Sequence, residues 1–304
     1  MTKWTAKDMP SQAGRTAVVT GTGGLGYEDA LGLARAGARV IIAGRSPQKG
    51  AEAARRIKQA VPGADMRFGL VDLGNLASIA RFADELAKDM PSLDILINNA
   101  GVMTPPERKT TSDGFELQLG TNYLGHFALT GRLLPLLKRG KQPRVVSLGS
   151  VAARSGAIDF DDLQAERGYK AMNVYSQSKL ACVMFAIELD RRSQAAGWGI
   201  KSIAAHPGIS RTELIPNQAG SLSASGLIRR FMPFLFQPVW QGALPTLYAA
   251  TDPGAVSGAS YGPDRLGGTR GYPTLEKAPE RATNPATAAK LWKISEELTG
   301  VTFA

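Results

Sequence analysis

The apolar run at residues 15–20, Arg-Thr-Ala-Val-Val-Thr, leads directly into Gly21-Thr22-Gly23-Gly24-Leu25-Gly26, and a helical pattern follows with no spacer. Ala30, Leu31, Leu33, Ala34 and Ala38 are its apolar positions. The pattern stops near Gly37, and residues 39–43, Arg-Val-Ile-Ile-Ala, read as the next strand. Strand, glycine turn, helix and strand within about 30 residues leave few folds open. Glycines are needed in such a turn because backbone N–H groups must approach a pyrophosphate with no Cβ in the way, at a helix N-terminus whose dipole favours anions. A carboxylate at the end of the second strand would suit the ribose hydroxyls of NAD. Here the chain reads Gly44-Arg45-Ser46, and an Arg suits a ribose 2′-phosphate, which favours NADP over NAD. A solvated Arg at a strand end is the plainer alternative.

The alternation continues. Residues 51–60 read as a helix, 66–71 as a strand ending at Asp72-Leu73, and 76–88 as a helix. Residues 93–97 read as a buried strand followed by Asn98-Asn99-Ala100-Gly101, and 115–137 as a long helical stretch that admits a bend. Residues 144–148 are a fifth strand ending at Gly149-Ser150, 175–196 a helix, and 200–205 a sixth strand followed by His206-Pro207-Gly208. Strands alternating with helices predict an α/β doubly wound parallel sheet, the Rossmann fold. With no repeat, low-complexity tract or linker in between, residues 1–304 read as a single dinucleotide-binding and catalytic domain.

Tyr175 and Lys179 lie four residues apart on the predicted helix, on one face. A phenol beside an ammonium can act as acid or base although free Tyr has a pKa of about 10. That spacing alone is weak evidence, since many helices carry it by chance.

Charge and composition exclude several alternatives. The net charge of +10 raises the question of nucleic acid, but the basic pairs Arg55-Arg56, Lys138-Arg139, Arg191-Arg192 and Arg229-Arg230 are scattered and form no stripe interleaved with aromatics. A basic surface that attracts an anionic cofactor is the simpler reading. One cysteine, Cys182, and two histidines make a disulfide framework or a Cys/His metal site implausible. The apolar stretch 227–247 is broken by Arg229, Arg230, Pro233, Pro238 and Pro245, so no integral membrane segment is expected. Met1-Thr2-Lys3-Trp4 carries no apolar core of a signal peptide, and a cytoplasmic location is the default expectation.

Taken in order, the glycine turn, Asp72-Leu73, Asn98-Asn99-Ala100-Gly101, Asn122, Ser150, Tyr175-x-x-x-Lys179 and Pro207-Gly208 resemble the short-chain dehydrogenase/reductase family over nearly the whole chain. Phe115-Glu-Leu-Gln, the run from Asn122 to Phe127, Asp159-Phe-Asp-Asp-Leu163 and the tail from Leu291-Trp292 to Phe303 are similar to a subgroup of retinol dehydrogenases and bacterial carbonyl reductases. The resemblance implies that Tyr175 is the proton donor in carbonyl reduction and the base in alcohol oxidation. Lys179 would lower its pKa and hold the nicotinamide ribose, Ser150 would hydrogen-bond the substrate oxygen, and Asn122 would anchor a water in a proton relay. Gly21, Gly24, Leu25 and Gly26 would wrap the pyrophosphate and adenosine, and Arg45 would meet the 2′-phosphate. Asp72 and Leu73 would meet the adenine, Asn99 and Ala100 the ribose side, and Pro207 and Thr212 the nicotinamide end. It further implies a homodimer or homotetramer built on the helices after strands four and five.

Two departures stand out. Relatives carry T-G-x-x-x-G-x-G, whereas only Thr22 and Gly23 separate Gly21 from Gly24; Gly21, Gly23 and Gly26 also fit a G-x-G-x-x-G spacing, so the roles of the individual glycines stay open. Gly149 stands where relatives often have Ser. A long insertion, residues 154–173 with Asp159, Asp161 and Asp162, reads as a flap near the pocket or as a plain surface loop. Phe231, Met232, Phe234, Phe236 and Trp240 form a proline-broken aromatic cluster, read as a substrate lid over about 210–240 or as packing. His206 reads as a packed strand-end residue and Cys182 as a buried inert thiol. The resulting expectation is NADP(H)-dependent hydride transfer with a bulky, hydrophobic ketone or secondary alcohol. The alternatives are a non-catalytic NADP sensor and a membrane-peripheral dehydrogenase of retinoids or lipids.

Overall fold

In the computed structural model, which describes residues 3–210 and 237–304, each apolar run becomes a strand of one sheet. The strands are β1 (Thr16–Thr20), β2 (Arg39–Gly44), β3 (Met66–Leu70), β4 (Ile95–Asn98), β5 (Arg144–Leu148), β6 (Lys201–Ala205), β7 (Ser260–Arg265) and β8 (Arg270–Glu276). Their order is β3-β2-β1-β4-β5-β6-β7-β8, with only β8 antiparallel to its neighbour. β1 pairs with both β2 and β4, so the chain reverses its winding there and a crevice opens beyond the C-terminal ends of β1 and β4.

Strand residues are apolar on both faces because helices cover both. Val18, Leu96 and Val145 join α3 (Leu76–Asp89), α5 (Gly125–Leu137) and α6 (Ala171–Ala196) in one core, whereas Val19, Ile97 and Val146 pack on α1 (Gly24–Arg35) and α2 (Pro47–Ala60) in the other. Two short helices after the undescribed segment, α7 (Val239–Gly242) and α8 (Leu244–Thr251), complete the α1 side. Gly32 permits this approach, since a Cβ there would lie 2.9 Å from Leu247 Cδ1.

The six expected strands are present, with small shifts at their ends. β7 and β8 escape a reading by pattern because each carries a Gly and a Pro that argue against a strand. The long stretch at 115–137 is a short α4 (Leu117–Leu119), a π-helical turn (Gly120–Leu124) and α5. α6 begins at Ala171, one turn before Tyr175. The C-terminal helix α9 (Pro285–Thr299) and the tail lie on α5 and α6: Trp292 stacks on Phe185 at 5.7 Å, and Phe303 reaches Phe127 at 4.9 Å between ring centroids. A Cβ at Gly131 would lie 2.5 Å from Val301. The two helices on which the resemblance places a subunit contact thus already carry the chain's own C-terminus. No helix among the described residues is long and apolar enough to cross a membrane.

One buried group works against stability. Asp29 on α1 is fully buried, and neither carboxylate oxygen has a hydrogen-bond partner among the described residues. Burial, with the neighbouring charge of Glu28, pushes its carboxyl well above the ordinary value of 3.8. The unfolded chain ionises above pH 4 while the folded chain resists, so what Asp29 contributes is fully present below about pH 4 and is lost as pH rises through the elevated folded value. Asp29→Asn removes that loss. At pH 8 we expect a gain on the order of 2 kcal/mol, several degrees in melting temperature, and at pH 4 none. Thermal melts of both proteins at the two pH values measure it.

Candidate active site

The glycine turn is set by close backbone contacts. Gly21 N–H donates to Ala43 O at 2.7 Å, and Gly21 and Gly24 adopt φ of +96° and +51°, the region glycine tolerates best. A Cβ on Gly26 would lie 2.3 Å from Gly21 O and 2.6 Å from Asn99 Nδ2. Gly23 caps α1 with extended backbone, φ −131°. Gly21, Gly24 and Gly26 are therefore the three the geometry requires, and the shortened turn still delivers the N-terminus of α1 to the crevice.

A cavity of about 540 Å³ opens there. It is bounded by Gly21 to Leu25, by Gly44 and Arg45, by Asp72 and Leu73 after β3, and by Asn99 and Ala100 after β4. Gly26 lies behind the turn and shapes it. Asp72 Oδ1 accepts Gly74 N–H at 2.9 Å, which fixes the loop after β3. Lys49, Ser46 and Thr22 also border the cavity and were not singled out from the sequence. Ser46 caps α2, its Oγ accepting Lys49 N–H at 3.3 Å, and Pro47 occupies the first helical turn. The cap puts Arg45 before the helix and Lys49 in its first turn. Both are exposed, and neither has a hydrogen-bond or ion-pair partner among the described residues. The Ser-Pro start after Arg45 was the signal available for Lys49.

These residues fit a nicotinamide dinucleotide. The turn is a cradle that side chains would fill, the cavity volume is in the range of ligand sites, and two unpaired cations stand at one end.

Ser150 follows β5 and begins a 3₁₀ turn (Val151–Ser155), with its Oγ accepting Ala152 N–H at 3.2 Å. Gly149 permits this: its Cβ would lie 2.8 Å from Val183 Cγ2 on α6, which accounts for the departure noted above. Tyr175 and Lys179 are both buried on α6, with Lys179 Nζ 6.0 Å from the Tyr175 ring centroid and donating to Leu148 O at 3.0 Å. Asn122 sits in the π-helical turn, a feature that often marks functional positions. Its Oδ1 accepts Val102 N–H at 2.7 Å, and its Nδ2 donates to Val102 O and to Ser178 Oγ, both at 3.0 Å. Ser178 Oγ in turn donates to Tyr175 O at 2.8 Å. Asn122 thus ties the loop after β4 to the helix of Tyr175 and Lys179. Both polar side-chain atoms of Asn122 are occupied by the protein, so its structural part here is positioning.

Other sequence readings fare differently. Cys182 is buried, its thiol pushed up by burial despite the nearby Lys179 charge, and Sγ–H donates to Asn122 O at 3.2 Å. His206 does more than pack. Its Nδ1 accepts Gly208 N–H at 3.2 Å, so Nε2–H donates to Glu276 Oε2 at 2.7 Å. Burial raises the Glu276 carboxyl, but His206 and Arg154 outweigh it and hold it below the ordinary carboxylate value. His206, Glu276, Arg154 and Ser150 border one small cavity. Glu276 lies 70 positions from His206, beyond any spacing pattern. In the 154–173 insertion the acids cap turns: Asp159 Oδ1 accepts the N–H of Asp161 and Asp162, and Asp162 accepts those of Glu166 and Arg167. Gln177 on α6 clamps the insertion through Asp159 N and Leu163 O. Thr212, Phe231, Met232, Phe234, Phe236 and most of the lid stretch lie outside the described residues; Trp240 is exposed. Pro207 O accepts Ser210 Oγ–H at 2.9 Å. Among the described residues no three His, Cys, Asp or Glu side chains cluster as a metal site.

A doubly wound parallel sheet with a ligand-sized cavity at its switch point, together with Ser150 after β5 and Tyr175 and Lys179 on α6, defines a class of nucleotide-dependent oxidoreductases. Within it, the chain matches the short chain dehydrogenase family over residues 15–220. It is 40% identical to retinol dehydrogenase 12 of Bos taurus over 95% of this chain and 87% of that one. An uncharacterized protein from Mycobacterium paratuberculosis has a similar crystal structure, with a TM-score of 0.81, 39% identity and full coverage of both chains. RhlG of Pseudomonas aeruginosa, solved as an NADP active-site complex, aligns with a TM-score of 0.63 at 27% identity over 82% of this chain and 94% of that one. The chain belongs to the short-chain dehydrogenase family, whose members are oxidoreductases that bind a nicotinamide cofactor.

Proposed function

We propose that the chain is an NADP(H)-dependent dehydrogenase/reductase that interconverts a bulky apolar alcohol and its carbonyl compound. The observation that carries this reading is the hydrogen-bonded chain from Asn122 through Ser178 to the backbone of Tyr175, with Lys179 on the same helix and Ser150 following β5. The cofactor supplies or accepts the hydride, so the protein has to orient the substrate oxygen and move one proton. Ser150 Oγ already accepts a backbone N–H, which leaves its own hydrogen free to donate to that oxygen. Tyr175 donates the proton in reduction. Lys179 is buried on the same helix, with its ammonium 6.0 Å from the Tyr175 ring centroid. Leu148 O takes one of the three ammonium hydrogens, and two remain for the ribose.

The NADP preference rests on Arg45 and Lys49, both unpaired cations beside the end of β2, and is supported by the NADP complex of RhlG. The substrate class is supported by the retinol dehydrogenase relatives. The test is turnover of apolar alcohols, ketones and aldehydes of graded size with NADPH and NADH. NADPH-dependent turnover that improves with apolar bulk is expected. In Arg45→Ala the advantage of NADPH over NADH should fall about 10–100-fold, the worth of one or two charge-assisted hydrogen bonds. NADPH binding with no turnover on any substrate would instead support a nucleotide sensor, and an unchanged preference in Arg45→Ala would remove Arg45 from the phosphate site.

A further inference from the structure

His126 lies on α5, 3% exposed, between the two halves of the site. Its Nδ1 is 2.8 Å from Asn122 O, and its Nε2 is 2.9 Å from Thr20 Oγ1. A carbonyl cannot donate, so the ring hydrogen is on Nδ1. Burial, reinforced by the Lys179 charge and opposed by the bond to Asn122, pulls the imidazole down to about 4, and the ring is neutral at pH 7. Nε2 then carries a lone pair, and the Thr20 hydroxyl must donate to it. That hydroxyl has one hydrogen, so its 3.2 Å contact with Ile97 O yields. The Thr20 oxygen is left to accept Asn99 N–H at 2.9 Å and Ala100 N–H at 3.0 Å. Every donor and acceptor in the series is thereby assigned: Asn99 and Ala100 to Thr20, Thr20 to His126, His126 to Asn122.

The two ends of the series do different things. Asn99 and Ala100 border the dinucleotide cavity, and Asn99 Nδ2 also holds Thr20 O at 2.7 Å beside Gly21 and Gly26. Asn122 positions the Tyr175 and Lys179 helix, and its carbonyl oxygen receives His126 and Cys182, which occupy both lone pairs. We propose that His126 is a positioning residue for the reaction argued above, its Nε2 side setting the nucleotide loop and its Nδ1 side setting Asn122. The series polarises along its length, as hydrogen-bond chains in a low dielectric do. A ring of this shape is the feature that lets one side chain serve both loops.

The test separates the two halves. An Asn amide can reach where Nδ1 stood, and a Gln amide where Nε2 stood. His126→Asn should weaken NADPH binding about fivefold and leave kcat at saturating NADPH nearly unchanged. His126→Gln should lower kcat about fivefold and leave the dissociation constant nearly unchanged. Dissociation constants are read by tryptophan fluorescence, also in the Tyr175→Phe background, so the binding arm does not depend on turnover and stands or falls apart from the assigned reaction. This opposite pattern in the two variants supports the proposal. Parallel losses in both quantities that follow melting temperature, or an unchanged dissociation constant in His126→Asn, overturn it.

Discussion

Tyr175→Phe should lower turnover about 10³-fold while leaving NADPH affinity and melting temperature close to those of the unmodified chain. The phenol is 8% exposed and has the Lys179 ammonium 6.0 Å from its ring centroid. Removing its oxygen deletes the proposed proton donor and little else: the ring stays, Ser178 Oγ still donates to the Tyr175 backbone carbonyl, and Lys179 still donates to Leu148 O. The loss should fall on kcat, because the interaction removed belongs to the transition state. Steady-state kinetics beside a binding titration make the comparison. Full activity in the variant would assign the proton to another group, and a matched loss of NADPH binding would make Tyr175 a packing residue.

Gly26→Ala should raise the NADPH dissociation constant about 100-fold and destabilise the fold by roughly 3 kcal/mol. The added methyl would meet Gly21 O at 2.3 Å, which is backbone and cannot rotate away, and Asn99 Nδ2 at 2.6 Å, which is already committed to Thr20 O. The turn can relieve this only by opening away from α1, and that removes the cradle. Isothermal titration and thermal melts report the two quantities. Near-normal binding in Gly26→Ala would mean that the shortened turn contributes little to holding the dinucleotide.

The two predictions draw on different sources. Tyr175 and Lys179 were legible in the sequence because their helical spacing stands downstream of Asn122 and Ser150 in an ordered series of motifs. The requirement at Gly26 was legible as a type of residue but not as a role, since two glycine assignments fitted the letters equally well. The left-handed φ of Gly24 against the extended backbone of Gly23 decides between them, while Gly26, common to both, is required by contacts with Gly21 O and Asn99, the latter 73 positions away. The 154–173 insertion was left open between a flap near the pocket and a plain surface loop; Asp159 and Asp162 are occupied as turn caps and Gln177 on α6 holds the loop in place.

What the sequence determined by itself is the set of local and periodic features. Apolar runs of strand length bounded by turn signals, helical repeats between them and a glycine turn at the first junction dictate a parallel doubly wound sheet, because these signals depend on residues within a few positions of each other. They also place the candidate Ser150 after the fifth strand and the candidates Tyr175 and Lys179 on the helix that follows it. Only the tertiary structure decided which distant groups meet. Glu276 on β8 reaches His206 across β7, Thr20 reaches His126, and the C-terminal aromatic residues cover α5 and α6. The packing of α1 also leaves Asp29 buried with no hydrogen-bond partner among the described residues. Such pairings are set by sheet order and helix packing, and no pattern of neighbouring letters encodes the distance between two side chains that the chain brings together only once it is folded.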